Sequence, residues 1–171
     1  MTALAPQLRS NLQAKLGENG YKGIYSLLLL AGMGLIVVGW RSTPVEMVYI
    51  PAVEFRIPAL ALVFLAFLMM VVSSRPSRLK QLIRHPQLTG VAIWGVAHLL
   101  LNGENRSVAL FGALALWAIA EIFAINRRDG AWVKDAGQYS VGTEIISVVI
   151  AAVVVAILIA VHPWISGMPV Y

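Results

Sequence analysis

Five apolar runs, separated by short segments rich in arginine and lysine, leave this chain few folds to choose from. They cover about residues 24–40, 58–74, 86–102, 107–125 and 144–161. A bilayer core takes about 20 apolar residues of helix, and in lipid a helix satisfies its backbone polar groups within the segment itself. The runs therefore predict an all-α polytopic membrane helix bundle with five transmembrane helices. A single integral membrane domain would cover 1–171, with 1–23 as a polar cytoplasmic tail. The third run is on the short side. Hydrophobic residues make up 59% of the chain and charged residues only 12%, against about 25% charged in soluble domains.

Chemical markers sit at the predicted helix ends. Pro58 and Pro86 suit first-turn positions, where a missing N–H costs nothing. Asn102-Gly103 reads as a stop after the third helix. His162-Pro163 reads as the end of the fifth, because the residue before a proline avoids the helical region.

Basic residues alternate sharply between connections. Arg9, Lys15 and Lys22 precede the first run, Arg75, Arg78, Lys80 and Arg84 join the second to the third, and Arg127, Arg128 and Lys134 join the fourth to the fifth. That places ten on one side, against Arg41, Arg56 and Arg106 on the other. Positive loops stay cytoplasmic, which predicts a multi-pass protein of the cytoplasmic membrane with its N-terminus inside and its C-terminus outside. The net charge of +5 then reflects topology and anionic lipid headgroups rather than nucleic acid. The chain has no cysteine, which excludes disulfides, thiolate metal sites and cysteine nucleophiles. No phosphate loop, Ser-His-Asp constellation or paired-carboxylate motif is present.

The third run carries the residues best suited to chemistry. Gln87, Val91, Trp94, His98 and Asn102 recur every three or four residues and share one helix face, predicted to face the bundle interior. An ionisable side chain within a membrane needs a partner, a cavity or a ligand. His98 is therefore a candidate haem-iron or metal ligand or proton relay, and equally a neutral histidine hydrogen-bonded across helices. Asn102, one turn on, is placed to accept the ring N–H. His85 lies at the cytoplasmic rim, about 20 Å along the helix from His98 at 1.5 Å per residue, so the two cannot share one iron. His85 reads first as a helix cap. His162 is a candidate partner for His98 and, more simply, an interfacial residue before a proline. Glu121, about one turn inside the cytoplasmic end of the fourth helix, is expected to pair with Arg84 or His85 or to be protonated. Glu144, at the start of the fifth, suits the helix dipole.

Several motifs together resemble the NnrU family. They are Gly20-Tyr21-Lys22-Gly23-Ile24-Tyr25-Ser26-Leu27, Gly39-Trp40-Arg41 with Pro44, Arg84-His85-Pro86 with Gly90, Trp94-x-x-Ala97-His98-Leu99-Leu100-x-Asn102-Gly103, and Leu116-Trp117-Ala118. The resemblance covers about residues 5–128. It implies a membrane protein associated with nitrite and nitric oxide reduction in denitrifying bacteria. It also implies a relation to the membrane zeta-carotene isomerases, which use haem b to isomerise a polyene double bond. The histidine matching His98 is a haem ligand in those relatives. By that resemblance haem b is the expected cofactor, with His98, Trp94, Asn102 and His85 as its surroundings. Where the isomerases carry a cysteine this chain has Gly95. Family members usually begin with a further helix ending in His-Ser, and the resemblance here starts just after it.

Three classes of function stay open from sequence. The first is a haem b-binding protein of nitrogen-oxide metabolism or an isomerase of polyenes or isoprenoids. The second is a non-enzymatic membrane assembly or regulatory factor. The third is an S-adenosylmethionine-dependent membrane methyltransferase, since Arg84-His85-Pro86-x-x-x-Gly90 also resembles the isoprenylcysteine type. Those enzymes usually have a tyrosine where this chain has Leu88. Expected partners are the bilayer, a polyene or isoprenoid ligand, or a respiratory complex.

Overall fold

The computed structural model describes residues 6–134, 137 and 139–167 and is built from five α-helices: α1 (Pro6–Ser42), α2 (Arg56–Ser73), α3 (Pro86–Leu101), α4 (Asn105–Asp129) and α5 (Val141–Ser166). Among the described residues no β-strand forms. The chain divides into two compact units, one ending at Glu46 and one beginning at Met47.

The first unit is α1 and the residues that end it. The helix begins well before the apolar run, through a segment whose glutamines, leucines, lysines and Ala14 favour helix. It breaks at Gly17, whose backbone angles (φ 70°, ψ 169°) lie outside the helical region and are open to glycine. Past the break, Lys22 and Glu18 pair at 2.6 Å across one turn. Within this unit the Leu27–Leu30 run is exposed at every position. The Thr43 N–H and hydroxyl both return to the Gly39 carbonyl, at 3.0 and 2.7 Å, and end the helix.

In the second unit, α2 packs against both α3 and α5, and α3 also packs against α4. Small residues make these contacts. Without a hydrophobic force between helices in lipid, close backbone approach is what van der Waals packing requires. A Cβ on Gly90 would lie 2.6 Å from the Ala66 carbonyl oxygen of α2, and one on Gly95 would lie 2.8 Å from the Phe111 carbonyl oxygen of α4. The buried residues of α5, Ser147, Ala151 and Val155, recur every four residues and form one face. The Ser147 hydroxyl is satisfied by the Thr143 carbonyl at 2.8 Å.

Pro58 lies in the first turn of α2 and Pro86 opens α3, as the sequence predicts. The fifth helix does not end at His162-Pro163. It runs on to Ser166, with Pro163 inside it, and stops at Gly167 in the left-handed conformation (φ 75°). A proline this near a C-terminus removes only the bond to Ile159, while the Gly167 N–H closes on the Pro163 carbonyl at 2.9 Å. The third helix also departs from the five-span expectation. The helices α1, α4 and α5, and α2 with its leading 3₁₀ turn, are long and apolar enough to cross a membrane, whereas α3 is shorter at 16 residues.

Candidate functional site

Three rings from α3 and α4 meet near one end of α3. Trp94 and His98 are one turn apart, with ring centroids at 4.5 Å. Phe111 of α4 stacks on His98 at 4.2 Å and 26° and meets Trp94 edge-on at 5.1 Å and 75°. The Gly95 contact lets α4 come close enough for this.

His98 Nδ1 lies 2.9 Å from the Trp94 carbonyl oxygen. A carbonyl oxygen only accepts, so Nδ1 carries the proton and Nε2 carries the lone pair. Asn102 does not accept the ring N–H. Its own amide donates to the His98 carbonyl at 2.9 Å, because one turn along a helix a carbonyl is nearer than a ring nitrogen. The predicted interior stripe is only partly covered. Gln87 is exposed, Trp94, His98 and Asn102 are half-buried, and the fully buried positions of α3 are Pro86 and the small residues Gly90, Gly95 and Ala97. His98 is also one turn from the end of α3, rather than far inside it. His162, near the end of α5, interacts electrostatically with His98, and the Ser166 hydroxyl lies 2.9 Å from its Nδ1.

The loop that begins the second unit folds over this end of α3. Met47 bridges to Glu104. The Val48 and Tyr49 N–H groups share the Gly103 carbonyl at 2.8 and 3.2 Å. The Tyr49 hydroxyl donates to the Leu99 carbonyl and lies 3.1 Å from that of Asn102. Asn102 is extended (φ −129°) and ends the helix as predicted. Gly103 is required for a different reason than a left-handed turn: a Cβ there would collide with the Tyr49 carbonyl.

His85 and Arg84 lie at the opposite end of α3, away from the rings. His85 holds the N-cap position, but its side chain makes no capping bond. Its Nε2 reaches Asn126 Oδ1 of α4 at 2.9 Å instead. Arg84 donates to the Gly130 carbonyl at 2.7 Å. Glu121 is 6% exposed on the buried stripe of α4. The register set by His98 with Phe111 and by His85 with Asn126 puts it opposite the first turns of α3. Of the sequence-derived candidates, His98, Trp94 and Asn102 thus come together, and His85, Arg84 and Glu121 belong to the other end.

Phe111 and Tyr49 were not singled out from the sequence, and Glu144 only for its place at a helix start. Phe111 could have been found from the spacing of Ser107, Phe111, Ala115 and Ala118 along one face of α4. Glu144 does more than suit a helix dipole. Its carboxylate accepts from the Ser77 hydroxyl at 2.9 Å and the Arg78 N–H at 2.6 Å, tying the α2–α3 connection to α5.

Among the described residues no group of three or more His, Asp or Glu side chains is placed to hold a metal ion. A haem, whose macrocycle supplies four donors of its own, asks less of the protein, namely an axial ligand with a fixed tautomer. His98 fits that requirement.

The chain matches the family model described as NnrU protein over residues 1–170, which extends past the motif-bearing stretch and through α5. It belongs to the NnrU family. No curated protein and no solved structure matches it.

Proposed function

We propose that this NnrU-family membrane protein binds haem b through His98 Nε2. It would serve nitrite and nitric oxide metabolism or the isomerisation of a polyene or isoprenoid double bond. The bond from His98 Nδ1–H to the Trp94 carbonyl carries the reading. A histidine that ligates iron donates its other N–H to an acceptor, which fixes the tautomer and raises the basicity of the ligating nitrogen. Phe111 holds the imidazole plane from one face, and Trp94 abuts it from the α3 side. Tyr49 and Asn102 engage the carbonyls at the helix end and fix it in place. Bound haem would supply a redox-active iron able to coordinate a small nitrogen oxide or polarise a conjugated π system. The denitrification link rests on family membership, and Gly95 removes any thiolate contribution.

Absorption spectroscopy of the full chain, purified from haem-replete cells, tests the proposal. A Soret band is expected, lost in His98→Ala and kept in His162→Ala. Loss in His162→Ala as well would make His162 the second axial ligand. No Soret band in the unsubstituted protein would overturn haem binding and favour a non-enzymatic assembly or regulatory role.

A further inference from the structure

At the end of α3 away from the rings, two clefts share a wall made of Lys80 and Arg84. One, of about 310 Å³, is lined by Ser73, these two cations, His85 and the first-turn residues of α3. The other, of about 160 Å³, adds Gln81, Trp132 and Tyr139. Ligand sites start at about 300 Å³.

Charges that only mark topology stand free in solvent, as Arg127 does. Lys80 and Arg84 are half-buried and held in place. Lys80 sits on a 3₁₀ turn (Arg78–Gln81) capped by Ser77, whose hydroxyl is fixed by Glu144. Gln81 bonds the Tyr139 hydroxyl. Among the described residues, Lys80 Nζ and the Arg84 guanidinium hydrogen-bond only to neutral carbonyls, those of Ser73 at 3.1 Å and Gly130 at 2.7 Å. Among the described residues no carboxylate lies within 4 Å of either cation. Asp129 acts on Arg84 at longer range and is itself clamped by Arg128 at 2.6 Å. The neighbouring start of α3 has no side-chain cap and no acidic residue in its first turn, and its first-turn residues Pro86, Gln87 and Leu88 line the same cleft, so the positive end of the helix dipole borders it. Glu121 is not among the lining residues.

We propose that this cleft binds a phosphate-bearing anion, clamped by Lys80 and Arg84 at the uncapped start of α3. Arginine offers a planar fork and lysine a mobile point charge, and both are suited to phosphate oxygens. The side predicted to be cytoplasmic offers two sources of that group: the headgroup of an anionic phospholipid and a free diphosphate.

The test uses the full chain in detergent. Native mass spectrometry reads retention of phosphatidylglycerol against phosphatidylcholine, and Trp132 fluorescence reads titration with inorganic pyrophosphate. Phosphatidylglycerol is expected to be retained preferentially, and Lys80→Gln/Arg84→Gln to weaken it by about tenfold or more, with Arg127→Gln unchanged. Pyrophosphate that binds and displaces the lipid assigns the site to phosphate groups in general. Lipid binding without pyrophosphate binding assigns it to the headgroup. Equal retention of the two lipids, or retention unaltered in the double variant, overturns the proposal. Should the double variant fail to fold, Lys80→Gln alone decides by the same criterion. This inference is independent of haem.

Discussion

The Tyr49 carbonyl and Gly103 occupy adjoining space with no room for a side chain between them, while the Tyr49 hydroxyl reaches back to the carbonyls of Leu99 and Asn102. One residue thus clasps the end of α3 from both its backbone and its side chain. Gly103→Ala is expected to push the loop away and destabilise the fold by about 1–3 kcal/mol, the usual cost of overpacking against backbone. Tyr49→Phe is expected to cost about 1 kcal/mol, the net worth of its hydrogen bond. Thermal unfolding in detergent reads both.

The same clasp has a pH signature. Partial burial pushes the Tyr49 hydroxyl above its usual value of 10, because desolvation against the end of α3 favours the neutral form. Its contribution is therefore fully present below pH 10 and is lost as pH rises through the higher folded value. Melting curves on the alkaline side should show a loss of stability that Tyr49→Phe diminishes, and identical alkaline curves for the two proteins would contradict the clasp.

Two glycines separate close packing from mere permissiveness. Gly90→Ala must move α2 or α3, since the new Cβ would meet the Ala66 carbonyl at 2.6 Å, and should cost about 1–3 kcal/mol. Gly112 has open space around its missing Cβ. Gly112→Ala should leave packing untouched and raise stability by up to about 1 kcal/mol through helix propensity. Equal melting shifts for the two variants would show that α2 and α3 are not in close contact.

Glu144→Ala removes the carboxylate that accepts from Ser77 and Arg78. Hydrogen bonds to a charged group carry about 1.5–3 kcal/mol, and a loss in that range is expected. Ser77→Ala should overlap with it rather than add, because both break the same tie. Additive losses in a double-mutant cycle would count against the tie.

Glu121 is the charged residue most enclosed in the packed helices. Glu121→Gln keeps its shape and removes its charge, and is expected to lower stability by about 1–3 kcal/mol, the scale for disturbing the interactions of a buried polar group. Melting unchanged in Glu121→Gln would place the carboxylate in contact with water.

The helix count, the order of elements and the prolines that open α2 and α3 were legible in the sequence, because lipid permits little besides apolar helix and proline has few places to stand. The approach of His98 to Trp94 was legible as a one-turn spacing. What was not legible depends on contacts between segments remote in sequence. Phe111 comes to His98 only through the Gly95 crossing, and Tyr49 reaches Leu99 from 50 residues away. Pro163 misled because the rule for residues before proline concerns average backbone preference, while near a helix end one lost bond is a small term. The helical continuation of α1 before residue 24 follows from propensity rather than hydropathy, and hydropathy defined the expected span.

At 1.5 Å per residue, the 16 residues of α3 reach about 24 Å, short of a hydrocarbon core of about 30 Å. Hydrophobic mismatch of this size is met by thinning of the surrounding bilayer or by drawing polar flanks inward. Both flanks of α3 are polar: the Tyr49 clasp at one end, Lys80 and Arg84 at the other. A bilayer that α3 crosses would therefore be drawn inward at both faces. His98 lies three residues from the helix end, about 4.5 Å by the same rise, so in such a bilayer its imidazole would sit near one face rather than at the midplane. A small polar solute or an electron carrier at the membrane surface could approach it there without crossing the lipid interior.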